Sequence, residues 1–247
     1  AETLRREIEL CDDPEEVVGL HYRLGVVLEK ELDDAVGAVA SFAAALDFDD
    51  QHAGSLEALG ALLKARREVP TVAAMLGPVY RKKNDWENVA SLLEVEAEVS
   101  LDAAARKKLF IEVAEIQEER LQSWTAAFAF LARALHEDPA DEEIVAELTR
   151  VADESAEWEE LAIILDEERE RVESEAVREH LALHVAQIHV VYLKDTKGAI
   201  ERYDDVVAKN PRCIAALRAL DRLHTEASAF APLARVLELE AEAAQQK

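Results

Sequence analysis

Three histidines crowd the stretch Glu179-His-Leu-Ala-Leu-His-Val-Ala-Gln-Ile-His189. His180 and His184 are four apart, so on a helix they share one face and can offer two imidazoles to a metal ion. A zinc site needs a third and usually a fourth ligand. The order Glu-His-x3-His also differs from the His-Glu-x-x-His of zinc peptidases. The pattern reads as partly buried or groove-lining histidines, and neither a metal nor a cofactor is expected. Carboxylate runs such as Asp153-Glu154 and Glu167, Glu168, Glu170 carry the right group for acid–base chemistry. With 53 acidic residues such neighbours are unavoidable, and no nucleophile or base accompanies them. Cys213 follows Pro211-Arg212 at a helix start, a place where a thiol pKa can fall, yet no histidine lies nearby in sequence. Neither a G-x-x-x-x-G-K-[ST] loop nor a G-x-G-x-x-G turn is present. No catalytic residue is assigned, and an enzyme is not expected.

Composition narrows the class further. The chain has 247 residues, half of them hydrophobic, with only seven glycines and six prolines. Alanine, leucine and glutamate dominate, and these are strong helix formers, so the expected class is all-α. The formal charge of −25 repels nucleic acid and anionic membrane surfaces and leaves basic partners open. The two cysteines, Cys11 and Cys213, make neither a disulfide framework nor a metal knuckle and fit a reducing compartment. No apolar run of about 18 residues spans a bilayer, and no signal peptide is readable, so a cytoplasmic location is expected.

The elements that position these residues come from an internal repeat. Trp86 opens WENVASLLEVEAEV, Trp158 opens WEELAIILDEERERV and Phe230 opens FAPLARVLELEAEA, each 72 residues after the last. Ala134-Leu-His-Glu-Asp-Pro139 returns as Val206-Val-Ala-Lys-Asn-Pro211, while the earlier copy, Ala45-Leu-Asp-Phe-Asp-Asp50, lies 89 residues upstream. Trp86, Trp158 and Trp124 could be aromatic platforms for a ligand, but the recurrence argues that Trp86, Trp158 and Phe230 pack under helix starts, with Trp158 in the core, and Trp124 stands outside that recurrence. Apolar residues at Leu109, Val113 and Ile116 mark a helical stripe. A second helix is predicted from about Thr125 to His136, stopped by Asp138-Pro139, a third from Glu142 and a fourth from Trp158. The repeat units run approximately over 1–99, 100–172 and 173–247, with about 13–14 helices in all.

The first helix pair of each unit carries a fixed pattern. A small residue precedes an alanine by 13 positions: Gly25 and Ala38, Ala114 and Ala127, Ala186 and Ala199. A bulky residue follows (Phe42, Leu131, Tyr203), then Ala45, Ala134 or Val206, then Asp50, Pro139 or Pro211. Small residues at these points let antiparallel helices approach to about 8–10 Å. This pattern resembles the tetratricopeptide repeat, with a turn one residue longer than is usual there. The resemblance covers the first pairs well and the second pairs weakly. It implies a single right-handed α-solenoid of antiparallel helix pairs over residues 1–247.

The first unit carries 17 additional residues, Glu68 through Asn84, which make a seam near 68–86. They form one extra helix, disturbed at Gly77-Pro78, or complete a second pair that makes the Trp86 helix pack irregularly. Leu4-Arg-Arg-Glu-Ile-Glu-Leu10 matches the tail of the Trp86 helix, so the chain reads as a piece of a longer array. The basic clusters Arg66-Arg67, Arg81-Lys82-Lys83 and Arg106-Lys107-Lys108 read as solvated helix ends.

In the family resembled, concave grooves hold a peptide or helix of another protein. The implied function is a protein-interaction scaffold, with partner-facing candidates on first helices: Arg23, Lys30, Glu112, Glu115, Glu119, His184, Gln187 and Val191. Acids at Glu112, Glu115, Glu119 and at Glu142, Glu143, Glu147 favour a basic or amphipathic cationic segment. The alternative is a structural spacer within a larger protein. The Ala/Glu-rich style is similar to very large repeat proteins of social gliding bacteria, in motility or envelope machines.

Overall fold

The computed structural model describes residues 1–245, and among them every regular element is an α-helix. There are fourteen: α1 Glu2–Leu10, α2 Pro14–Leu32, α3 Ala35–Phe48, α4 Ala53–Lys64, α5 Val69–Lys83, α6 Trp86–Val99 and α7 Ala103–Glu119, followed by α8 Trp124–Glu137, α9 Glu142–Ser155, α10 Trp158–Arg171, α11 Glu175–Val191, α12 Thr196–Lys209, α13 Ile214–Glu226 and α14 Phe230–Gln245. The chain divides into two compact units, Ala1–Phe130 and Leu131–Lys247.

Local chemistry sets the helix starts. Asp13, Asp102 and Ser174 occupy one repeat position, and each side chain accepts a first-turn amide, from Glu15, Ala104 and Val177 respectively. Asp34 and Asp195 do the same for Gly37 and Gly198 at the start of α3 and α12. The far ends of α6 and α10 are met by a repeated arginine. Arg106 donates to the Ser100 carbonyl at 3.0 Å, and Arg178, 72 positions on, donates to the Val172 carbonyl at 2.7 Å. These carbonyls lie past the last helical turn and have no partner within the helix, which the guanidinium supplies.

In the first unit consecutive helices pack against one another, and α2 also meets α4, α3 meets α5, and α4 meets α6. One core runs through this unit, from Leu24 and Phe42 through Leu59, Leu62 and Leu76 to Leu93 and Val113. Gly25 is the small residue that lets α3 approach α2: a Cβ there would lie 2.5 Å from the Phe42 ring. Phe42, Ala38 and Ala45 are fully buried, as the tetratricopeptide-like pattern requires. In the second unit the corresponding Ala186, Ala199, Tyr203 and Val206 are buried together with Leu217, Leu220 and Leu223 of α13.

The extra residues of the first unit form one helix, α5, which runs unbroken through Pro78. Proline normally disfavours helical backbone in the residue before it through a clash with that residue's Cβ. Gly77 has no Cβ, so the helix continues. Glu68 and Asn84, both left-handed at φ 50° and 54°, bracket it.

Trp158 corrects the expectation from the sequence. It is half-buried rather than in the core, with its indole stacked on Tyr192. Phe230, at the same repeat position, is 76% exposed. The repeat phase marks the start of a packing stripe, and how deep that start is buried depends on what the next helix lays over it.

Candidate functional site

The histidine stretch lies on α11. His180 and His184 sit edge to face, with ring centroids 4.6 Å apart. Nε2 of His180 is buried without a hydrogen-bond partner, beside a small cavity of about 130 Å³ walled by Pro139, Glu142, Val145 and Val177. Burial depresses the His184 pKa, and the adjacent His180 adds to the effect, while Glu142 opposes it. His189 turns elsewhere and pairs with Asp195 at 3.0 Å. The three imidazoles therefore do not converge. Among the described residues no three His, Cys, Asp or Glu side chains come together where they could hold a metal ion.

The other chemical candidates are engaged in structure. Burial pushes the Cys213 thiol up, outweighing the amides of Ala216 and Ala215 that pull it down. Helix-start activation of this cysteine is therefore overridden by burial. Glu168 is buried on α10, with Oε1 2.8 Å from His136 Nδ1 and Oε2 paired with Arg171. Asp153, Glu154, Glu167 and Glu170 are exposed. A cleft of about 600 Å³ opens where the end of α10, the start of α11 and the end of α12 meet. Its polar walls are largely satisfied internally: Asn210 donates to Glu179 at 2.7 Å, and Arg178 holds the Val172 and Glu173 carbonyls.

The basic clusters do more than end helices. Arg66 pairs with Glu98, and Arg67 with Asp33 at 2.7 Å. Arg81 pairs with Glu112, and Lys82 with Asp50 at 2.6 Å. The partners are 31 to 34 residues apart, so each pair ties one helix hairpin to another. Sequence reading missed these pairs; opposite charges recurring at about one hairpin's length were the available signal.

On each of α2, α7 and α11, taken separately, the candidate partner-facing residues lie on one side of the helix. On α2, Arg23 and Lys30 are exposed. On α7, Glu115 and Glu119 are exposed, whereas Glu112 is half-buried and held by Arg81. On α11, Gln187 and Val191 are exposed and His184 is half-buried. Positions 23, 112 and 184 are repeat equivalents, as are 30, 119 and 191. Their neighbours Leu24, Leu28, Val113, Ile116, Val185 and Ile188 are core. Of the other acids, Glu142 and Glu143 are exposed, and Glu147 pairs with Arg150 at 2.9 Å. No helix among the described residues is long and apolar enough to cross a membrane.

No protein-family model matches the chain, and no curated protein matches it either. Among solved structures it is similar to YrrB, described in its crystal structure as a TPR protein with an unusual peptide-binding site. That likeness has 16% identity and a TM-score of 0.33, and it covers 87% of this chain and 96% of the other.

Proposed function

We propose that this chain is a non-enzymatic protein-interaction scaffold. Its first helices present a recurring stripe to a basic or amphipathic segment of a partner. One observation carries the reading. The repeat positions at 23, 112 and 184 and at 30, 119 and 191 stay wholly or partly open to solvent while the residues beside them are packed away. A stripe that is spared from packing in register is a surface available for contact. Glu115 and Glu119 give α7 an acidic strip, and the chain as a whole carries −25. A cationic segment is drawn to such a field quickly, and its binding weakens with salt.

The test is crosslink mapping of a captured partner, followed by titration at low and high ionic strength. Crosslinks should fall on the stripe, and Glu115→Lys with Glu119→Lys should weaken binding most at low salt. Affinity that stays constant across about a tenfold rise in salt would overturn the electrostatic reading. Crosslinks confined to other surfaces would leave the spacer role as the better account.

A further inference from the structure

Two copies of the repeat cover the same tryptophan differently. In the first, the Arg120 guanidinium lies 4.9 Å from the Trp86 ring centroid. In the second, 72 positions on, Tyr192 stands in place of that arginine and stacks on Trp158, with centroids 3.3 Å apart. Tyr192 has one face on the indole and is still 38% exposed, and Val191 beside it is 39% exposed. The stack therefore offers an aromatic face to solvent where the end of α11 meets the start of α10, wholly within the second unit.

The acids at the start of α10 lack partners in the same copy. Asp85, which precedes Trp86, has both carboxylate oxygens in use: Oδ1 accepts from the Asn88 amide, and Oδ2 accepts from the Asn88 side chain at 2.7 Å. Its equivalent, Glu157, caps nothing, and its Oε2 is buried without a hydrogen-bond partner. The position of Asn88 is taken by Glu160, an acid in place of an amide donor. Glu159 and Glu160 are exposed, and none of these three carboxylates has a cationic partner among the described residues. Lys194, the basic residue nearest Tyr192 in sequence, donates to the Val191 carbonyl at 2.5 Å. The positive end of the α10 dipole accounts for acids in the first turn, but it leaves Glu157 Oε2 without a donor. The second copy thus has the aromatic stack and the negative charge, and lacks the guanidinium that the first copy carries.

We infer that the Trp158–Tyr192 stack binds a guanidinium from another molecule, an arginine side chain of the partner segment. Arg120 shows which cation this chain sets on the equivalent tryptophan. A guanidinium laid on the outer face of Tyr192 extends the stack by one layer, and its charge is held by the field of Glu157, Glu159 and Glu160. A lysine fits less well, because its compact, strongly hydrated ammonium does not stack. Val191 belongs to the partner-facing stripe, so an arginine here anchors a segment lying along that stripe. That the arginine belongs to such a segment rests on the scaffold reading, whereas the guanidinium site does not.

The probe is N-acetyl-arginine N-methylamide, titrated into the isotope-labelled full chain while the ring signals of its tryptophans and tyrosines are followed by NMR. Single substitutions to Phe assign the signals. The Tyr192 and Trp158 signals should shift together and saturate in the millimolar range, whereas Trp86, whose ring already carries Arg120, should not respond. N-acetyl-norleucine N-methylamide, which has a stem without the charge, should move none of them. Tyr192→Arg reproduces the first copy, so the Trp158 signal should no longer respond to the probe. Glu159→Gln with Glu160→Gln changes two exposed positions and should weaken binding about two- to fivefold. Equal shifts at Trp86 and Trp158, a response to the norleucine compound, or binding unchanged in both variants would overturn the site. Saturation by tetramethylammonium at equal or lower concentration would overturn the guanidinium in favour of a quaternary ammonium. A partner crosslinked along the stripe, with no response of Tyr192 or Trp158 to the arginine probe, would sink this site alone. A response at both rings, with crosslinks confined to other surfaces, would uphold the site and sink the scaffold reading.

Discussion

The Tyr192 ring lies flat on the Trp158 indole, with centroids 3.3 Å apart and planes within 12° of parallel. Tyr192 is itself 38% exposed. The pair ties the end of α11 to the start of α10 and keeps one side wet. Trp158→Ala is therefore expected to cost about 2–3 kcal/mol, below the ~3–5 of a fully buried aromatic. Tyr192→Leu, which keeps bulk and loses the stack, is expected to cost about 0.5–1.5 kcal/mol. Urea unfolding of the two variants checks both. A larger loss for Tyr192→Leu than for Trp158→Ala would show that the stack is not what holds these helices.

Gly25 and Gly19 sit on the same helix and should respond in opposite directions. A Cβ at Gly25 meets the Phe42 ring at 2.5 Å, and that ring is fully buried and has nowhere to go. Gly25→Ala is expected to destabilise by about 1–3 kcal/mol despite alanine's better helix propensity. Nothing lies within 4 Å of a Cβ at Gly19. Gly19→Ala should then gain about 0.5–1 kcal/mol. Melting temperatures moving in opposite directions are the expected result.

These positions also show what was legible in the sequence. The pairing of Gly25 with Ala38 and Phe42 could be read because close helix approach demands small residues at fixed spacing. The helix expected at Thr125 to His136 is observed over Trp124–Glu137, since Asp138-Pro139 leaves the chain little choice. The depth of Trp158 could not be read, because it depends on which side chain the next helix lays over it. The pairs Arg81–Glu112 and Lys82–Asp50 were hidden for a related reason: they form only once hairpins stack. Leu237 of α14 is exposed whereas its repeat equivalents Leu93 and Leu165 are buried, a difference that the shared residue type does not reveal.

Glu168 offers a test of a buried charge. Its side chain is 6% exposed, whereas His136 and Arg171 are about half exposed. Removing both partners strands a carboxylate away from water, at an expected cost of about 3 kcal/mol. Glu168→Gln keeps the shape and some of the hydrogen bonding, and should cost only about 1 kcal/mol. Denaturant midpoints for His136→Ala with Arg171→Ala against Glu168→Gln provide the comparison. Equal losses would mean that the acid is hydrated after all.

The pH dependence should come partly from His184. Burial lowers its pKa below the ordinary 6.5, His180 pushes the same way, and Glu142 opposes them. In the unfolded chain the imidazole takes up a proton near its ordinary value, while in the folded chain it resists until lower pH. Below that ordinary value the unfolded state binds more protons, so stability falls as pH falls. The loss continues until the folded pKa is reached and then levels off. His184→Gln keeps a polar side chain and removes the titration. Between about pH 7 and 5 the wild-type melting temperature should drop more steeply than that of His184→Gln. His21, whose pKa is lowered by its own burial, titrates in both proteins, so the difference between the curves reports His184 together with its coupling to the adjacent His180. Parallel curves would show that His184 meets water freely in the folded chain.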